Sequence, residues 1–371
     1  EAFKLYDTFG FPLDLTMEIA GERGVSVDED QFAKFMNDQR ERARAARAAM
    51  GDLGWEGDVL QGIPGNTEFV GYTDKTCTAK VAAIIKDGAL ADEIDEGESG
   101  IIVLDRTCFY GEGGGQVGDS GILFGANSTF QVLDTKKSVN SHFMHIGEMK
   151  AGMIRVGDEL TAEIDSLRRD SIMRNHSACH LLQAALREVL GTHVHQSGSY
   201  VDENLCRFDF SHFSAMTSDE IARVENIVND MILAALPVTV ETMSQDEAKA
   251  KGAMALFGEK YGDAVRVVDM GGRSIELCGG THVDNTSRVG LFKIVKESSI
   301  AAGVRRIEAV TGRGVLGLID ADRHLMDMAC EALKVGSHAE LPGKAAAVAA
   351  ELKAKDKEIE EINGKLASMQ T

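Results

Sequence analysis

Two short words, His176-Ser-Ala-Cys-His180 and Cys278-Gly-Gly-Thr-His282, constrain this chain more than anything else in it. They lie about a hundred residues apart, and can share one chemistry only if a fold brings a helix and a loop together. The first pair sits in a helix-like segment, where i,i+4 spacing puts both rings on one face. The second pair flanks Gly279 and Gly280, so a tight loop can turn both side chains toward one point. A thiolate and three imidazoles suit Zn2+, and the expected site is one ion held by His176, His180, Cys278 and His282. Cys179 is a rival ligand, but at i+3 from His176 and i−1 from His180 it cannot share both their faces. His193 and His195, on a strand-like segment, are rivals too. The ordinary alternative for any single histidine is a satisfied polar side chain.

A chain of 371 residues suggests two or three domains. Its net charge of −20 argues against a broad basic face for nucleic acid. Bound RNA would need local patches: Arg40, Arg42, Arg44 and Arg47; Arg168, Arg169 and Arg174; or Arg305, Arg306 and Arg313. Otherwise these are solvated helix and strand faces. No apolar run has the length of a membrane span, and the start carries no signal-peptide pattern. The six cysteines are scattered with no Cys-x-x-Cys, which favours a reducing cytoplasm. A start at Glu1 without Met and an end inside a helical repeat are expected of a piece of a larger protein.

Hydrophobic texture divides the chain. Within the segment 1–57, residues 1–50 read as helices, with a Ser26/Glu29 capping pattern ahead of Phe32, Phe35 and Met36, and Gly51, Gly54 and Gly57 close it as a linker. Across 58–165, short apolar runs at 81–85, 100–104, 130–133 and 160–164 alternate with Gly/Asp turns, the spacing of a small antiparallel β-barrel. Residues 166–314 alternate helix and strand: a helix over 166–190, a helix capped by Thr217 and Glu220, and strands near 194–201, 205–210, 237–243, 264–270, 274–277, 290–295 and 304–310. In 315–371, Ala345, Val348, Leu352, Lys355, Ile359, Ile362, Leu366 and Met369 form a heptad seam, read as a coiled-coil-like helix open to self-association. The fold class expected is α+β: a barrel plus a zinc-containing domain between helical flanks.

Gly111-Glu-Gly-Gly-Gly-Gln116 is a flexible loop; Gln116 in the last glycine position removes any dinucleotide fingerprint. Gln196 is polar within an apolar strand, which by pattern alone is a solvent-facing position.

Glu1-Ala-Phe-Lys-Leu-Tyr-Asp-Thr-Phe-Gly-Phe-Pro-Leu-Asp-Leu15 resembles the stretch that follows the catalytic core of alanyl-tRNA synthetases. Phe109-Tyr-Gly-Glu-Gly-Gly-Gly-Gln-Val-Gly-Asp-Ser-Gly121 resembles their barrel glycine motif, and the two ligand words look like their zinc motifs. Gly252-Ala-Met-Ala-Leu-Phe-Gly-Glu-Lys-Tyr-Gly-Asp263 separates the chain from threonyl-tRNA synthetases, whose editing domain shares only the zinc-motif style. Gly114-Gly115-Gln116 also echoes the Gly-Gly-Gln of peptide release factors, which cleave another tRNA ester.

The resemblance implies zinc-dependent proofreading: hydrolysis of Ser-tRNA(Ala) and Gly-tRNA(Ala). The parent would be an alanine–tRNA ligase whose ATP- and Mg2+-using aminoacylation core lies upstream. It implies the same four zinc ligands, substrate contacts at Gln196, Gly114, Gly115, Gln116 and Thr281, and the acceptor end of tRNA(Ala) as partner. The water-activating residue stays unassigned. The family commonly has Thr where this chain has Cys179, and a thiol is a weaker hydrogen-bond partner than a hydroxyl. Two other readings remain open: a non-catalytic zinc-stabilised RNA-binding and assembly module, and a free-standing trans-editing protein.

Overall fold

Six strands close on themselves between Thr76 and Ile164: β1 (Thr76–Lys86), β2 (Ser99–Leu104), β3 (Gly121–Phe124), β4 (Thr129–Lys137), β5 (Phe143–Ala151) and β6 (Glu159–Ile164). The computed structural model describes residues 59–254 and 264–369 apart from Pro64 and Val139, together with Thr16, Met17, Ala20, Val27, Gln31 and Phe32. Every barrel pairing is antiparallel, in the order β1-β2-β5-β4-β3-β6, and β6 returns to β1 by pairing Ala162 with Cys77. Closure leaves no strand edge to aggregate. Alternate residues turn inward, so Ile84, Ile102, Leu123, Phe130, Val132, Leu160 and Ala162 fill the barrel. Each large side chain among them contributes about 1.5–3 kcal/mol by leaving water.

The runs expected at 81–85, 100–104, 130–133 and 160–164 lie within β1, β2, β4 and β6. β3 and β5 are additional strands. β3 is short and opens on a glycine, while β5 is broken in pattern by His145, Gly147 and Glu148. His145 is buried inside the barrel, its Nδ1 2.8 Å from the Ile102 carbonyl and its Nε2 2.8 Å from Thr107 Oγ1.

After the barrel, Asp165 accepts a hydrogen bond from the Arg168 amide and starts α1 (Ser166–Leu190). A four-stranded antiparallel sheet runs β7-β8-β13-β12, made of Gln196–Val201, Cys206–Ser211, Val304–Thr311 and Phe292–Ala301. α1 and α2 (Ser218–Leu233) pack on it around Leu182, Leu186, Phe208, Phe210, Val224 and Val228. The capping box expected at Thr217 and Glu220 is formed. A three-stranded sheet of β9 (Val238–Ser244), β10 (Ala264–Met270) and β11 (Ile275–Leu277) leads into the Cys278 loop, with α3 (Gln245–Ala250) beside it.

Barrel and α1 are locked by a buried ion pair between Arg169 and Asp119, whose side chains are 3% and 2% exposed. Arg169 also donates to the carbonyls of Gly71 (2.7 Å) and Cys108 (3.1 Å). Arg169 is therefore neither an RNA patch nor a solvated face: it is enclosed where the two layers meet. Arg168 pairs with Glu203, Arg305 with Glu297 and Arg306 with Asp209, so these three arginines are also neutralised internally.

The chain divides into two units, Glu1–Gly312 and Arg313–Thr371. The second consists of α4 (Arg313–Leu333) and α5 (Leu341–Met369), with His338 Nε2 2.6 Å from Asp327 at the turn between them. Along α5, Val348, Leu352, Ile359, Ile362 and Leu366 stay exposed, so the heptad seam is a helix face without cover in the single chain. Thr16, Met17, Ala20, Gln31 and Phe32 are helical. The Ser26/Glu29 pattern, the Arg40–47 group and residues 255–263 lie outside the described residues. All six cysteines are free thiols, and among the described residues no helix is long and apolar enough to cross a membrane.

Candidate metal centre

Helical spacing and a glycine turn bring the two words together. His176 and His180 project from one face of α1, both 5% exposed. The loop after β11 delivers Cys278 and His282, and the four ligand atoms lie within 4.8 Å of one another. Cys278 Sγ is 3.5 Å from His176 Nε2 and 3.2 Å from His282 Nε2. Adjacent donors on a tetrahedral zinc, at about 2.3 Å for sulfur and about 2.0 Å for nitrogen, are roughly 3.5 Å apart. The donor set and its spacing therefore fit a borderline divalent ion.

Hydrogen bonds behind the ligands fix how the rings present themselves. Gln116 is fully buried; its Oε1 accepts from the Thr281 amide at 2.9 Å, and its Nε2 donates to Thr281 Oγ1 at 2.9 Å. That orients the amide, so His176 Nδ1, 2.7 Å from the same Oε1, must carry the proton and donate. The lone pair is left on Nε2, facing the other ligands. Ser177 Oγ lies 3.1 Å from His282 Nδ1 and accepts from the Val283 amide at 3.1 Å. His180 Nδ1 is buried without a hydrogen-bond partner, 3.5 Å from a Glu276 carboxyl oxygen, a separation too long for a proper bond. Such outer partners set the tautomer and aim of metal-binding histidines.

Burial holds these groups uncharged. His176 and His282 are pushed well below the usual imidazole range, first by desolvation and then by neighbouring rings and Arg266. His180 is lowered to about 3 by burial and by Arg266. Neutral imidazoles are the form that binds metal. Burial raises Glu276 to about 7, against which a hydrogen bond from Ser274 works.

The ligand loop is held residue by residue. Arg266 donates to the carbonyls of Cys278 (2.7 Å) and Gly280 (2.8 Å) and stacks 4.1 Å over Tyr72, whose hydroxyl donates to the Gly279 carbonyl at 2.7 Å. A Cβ on Gly280 would collide with the His176 ring, so only glycine fits. Gly115, with φ +80, presses against Ser199 of β7 and accepts from the Val201 amide at 2.7 Å, which docks the glycine loop on that strand.

Above the cluster opens a cavity of about 600 Å³. His176, His180, Glu276, Cys278, Gly279 and Gly280 line it from the cluster side and Phe69, Tyr110, Lys137 and Phe143 from beside the barrel, with Tyr72 joining the two through its bond to Gly279. Gln196, Gly114 and Cys179 line it as well. Gln196 Nε2 donates to Ser199 Oγ at 3.0 Å. Gln116 and Thr281, expected at the substrate, are buried and stand behind His176 instead, and Gly115 is packed on β7. Among the described residues neither Cys179, His193 nor His195 joins the four-ligand group; His193 lies 3.0 Å from His212. Ser177, Glu276, Arg266 and Tyr72 were not anticipated. Ser177 stood inside the first ligand word and Glu276 two residues before Cys278, but neither spacing shows which ring it supports.

Residues 1–168 match the family described as tRNA synthetases class II (A), and residues 265–308, which contain Cys278 and His282, match the threonyl and alanyl tRNA synthetase second additional domain. Over 370 residues the chain is 45% identical to alanine–tRNA ligase of Bacillus subtilis (strain 168), covering 100% of this chain and 42% of that protein. It is 48% identical over 370 residues to that of Thermoanaerobacter sp. (strain X514), with 100% and 42% covered. It is 51% identical over 371 residues to that of Methylobacillus flagellatus, with 100% and 41% covered. Matched end to end by these relatives while spanning only about two fifths of their length, the chain belongs to the alanyl-tRNA synthetase family.

Proposed function

We propose that this region proofreads, hydrolysing the ester of Ser-tRNA(Ala) and Gly-tRNA(Ala), within a protein whose full length charges tRNA(Ala) with alanine using ATP and Mg2+. The observation that carries this reading is a cluster of three neutral imidazoles and a thiol at the floor of a cavity large enough for more than an amino acid. One Zn2+ per chain, held by His176, His180, Cys278 and His282, would supply Lewis-acid and anchoring chemistry there. The division into 1–57, 58–165, 166–314 and 315–371 belongs to the same proposal, with tRNA binding before the barrel and self-association through α5. So does a cytoplasmic setting.

This chain's own residues do the rest. Gln116 and Ser177 aim the rings of His176 and His282. Glu276 lines the cavity with a carboxyl oxygen 3.5 Å from His180 Nδ1, so it is the group we assign to take the proton of the attacking water. The ester's ribose oxygen leaves and regains a proton. Gln196 exchanges its bond to Ser199 for the serine hydroxyl, which alanine cannot offer. An apolar pocket separates such pairs by only about ten- to two-hundred-fold, so a polar group left unpaired by alanine is needed. The hydroxyl argument covers serine only. Gly114 presents backbone to the tRNA end.

The test is Cys278→Ala assayed on Ser-tRNA(Ala) and Ala-tRNA(Ala). Bound metal and seryl ester hydrolysis should both be lost while circular dichroism is retained. Wild-type-like hydrolysis would reject the reading, and wholesale unfolding would favour a structural metal in a non-catalytic module.

A further inference from the structure

The cavity is too large and too mixed in character to serve the aminoacyl group alone. Its volume of about 600 Å³ lies in the range that encloses a drug-sized ligand. The ligand cluster and Glu276 occupy one end, where an ester would react. The barrel-side lining carries stacked Phe69 and Phe143, with ring centroids 5.3 Å apart, and Tyr110 edge-on to Phe69. In the same lining stands Lys137, the last residue of β4, paired in register with Phe143. Its ammonium rides 5.5 Å above the Phe143 ring, which steers the stem along the wall.

Lys137 is exposed, and among the described residues no carboxylate lies within ion-pair distance of it. Most other lysines and arginines around the barrel are engaged: Lys75 with Asp170, Lys86 with Glu98, Arg106 with Glu68, Arg155 with Glu93. In a chain of net charge −20, a cation on a cavity wall with no ion-pair partner among the described residues is a place for an anion. Glu112, also exposed, lines the same cavity with the opposite charge. The glycine loop fixes the position of Lys137: a Cβ on Gly111 would press on Lys137 at 2.9 Å, and the Glu112 amide donates to the Thr135 carbonyl at 2.9 Å.

Resting on the proofreading reading, we infer that Lys137 binds the 5′-phosphate of the terminal nucleotide. The barrel end of the cavity then holds that nucleoside while the cluster end holds the ester. Lys137 is a binding residue for the substrate's backbone and does not distinguish serine from alanine. A single charge-assisted contact of this kind supports roughly ten-fold in affinity.

The test uses the whole metal-loaded chain and two non-hydrolysable probes, 3′-seryl-amido-3′-deoxyadenosine with and without a 5′-phosphate, measured by calorimetry. The phosphorylated probe should bind about ten-fold more tightly to the wild-type protein. That ratio should fall to about one in Lys137→Gln, be largely kept in Lys137→Arg, and rise in Glu112→Gln. For Ser-tRNA(Ala) itself, Lys137→Gln should reduce the slope of log affinity against log salt by about 0.7–0.9. Equal binding of the two probes by the wild-type protein, or a ratio unchanged in Lys137→Gln, overturns the inference. Failure of the wild-type protein to hydrolyse Ser-tRNA(Ala) is read in a separate deacylation assay and counts against proofreading, whereas a phosphate-dependent ratio lost in Lys137→Gln still supports Lys137.

Discussion

The barrel and the α+β layer each bury neutral histidine, and they do so to opposite ends. In the barrel, His145 donates from Nδ1 to the Ile102 carbonyl, which leaves Nε2 to accept the Thr107 hydroxyl. In the α+β layer, His176 donates from Nδ1 to Gln116 and has the same tautomer, but its Nε2 faces Cys278 and the other rings. One ring is closed by the protein, so it is a core residue. The other is closed on one side only, and its free lone pair converges with those of its neighbours. Burial depresses both kinds of ring, so a shifted pKa does not tell a structural histidine from a candidate ligand; the partner of the second nitrogen does.

Acid gives the largest expected effect and acts on both sets. His145 is lowered to about 4 and His180 to about 3, below the ordinary 6.5. Between those values the unfolded chain binds more protons than the folded one. The stability involved is complete above pH 6.5 and is lost as the pH falls through the window. The His145 shift alone corresponds to about 3 kcal/mol. Glu276, raised to about 7, works in the other direction: its share is complete below its ordinary 4.5 and lost as the pH rises through 7. In chelator-treated protein we expect the Tm to drop steadily from pH 6.5 to 4, with histidine ring signals in NMR showing neutral imidazoles in both layers at pH 6. A flat Tm profile would remove the shared half of the comparison.

A smaller effect separates the layers. Gln116→Leu removes the acceptor that fixes the His176 tautomer, and should weaken metal binding by about 10–100-fold in competition with a chromophoric chelator. A change within three-fold would mean that packing against Gly280, not Gln116, aims the ring.

The smallest belongs to the barrel. Thr107→Val leaves His145 Nε2 without its hydroxyl and should cost about 1 kcal/mol in urea unfolding. The loss should be the same with and without metal, and Ser-tRNA(Ala) hydrolysis should be unaffected. A metal-dependent loss would break the distinction between the two histidine environments.

The buried ion pair between Arg169 and Asp119 makes a related point about charge. From sequence, Arg169 looked like its neighbours Arg168 and Arg174, three basic residues near the start of a helix. Only the packing of α1 on the barrel puts it against Asp119 and two carbonyls, where it is enclosed and cannot meet RNA.

Sequence by itself determined what local periodicity can encode. The i,i+4 spacing put His176 and His180 on one helix face, Gly279 and Gly280 permitted the turn that aims Cys278 and His282, and apolar runs marked four of the six barrel strands. The helix over Ser166–Leu190 and the capping box at Thr217 and Glu220 were legible for the same reason, since both are set by neighbours within one turn. The tertiary structure alone decided what depends on distant contacts. Gln116 stands 60 residues from His176, and Ser177 stands 105 from His282, so nothing in the chain's pattern shows which ring each supports. β5 is not legible in the sequence because His145 and Gly147 interrupt its alternation, yet both are tolerated once the barrel closes around them. Lys137 is one more surface lysine in the sequence; only the closure of the barrel beside the Cys278 loop places it on the wall of the same cavity as the His/Cys cluster.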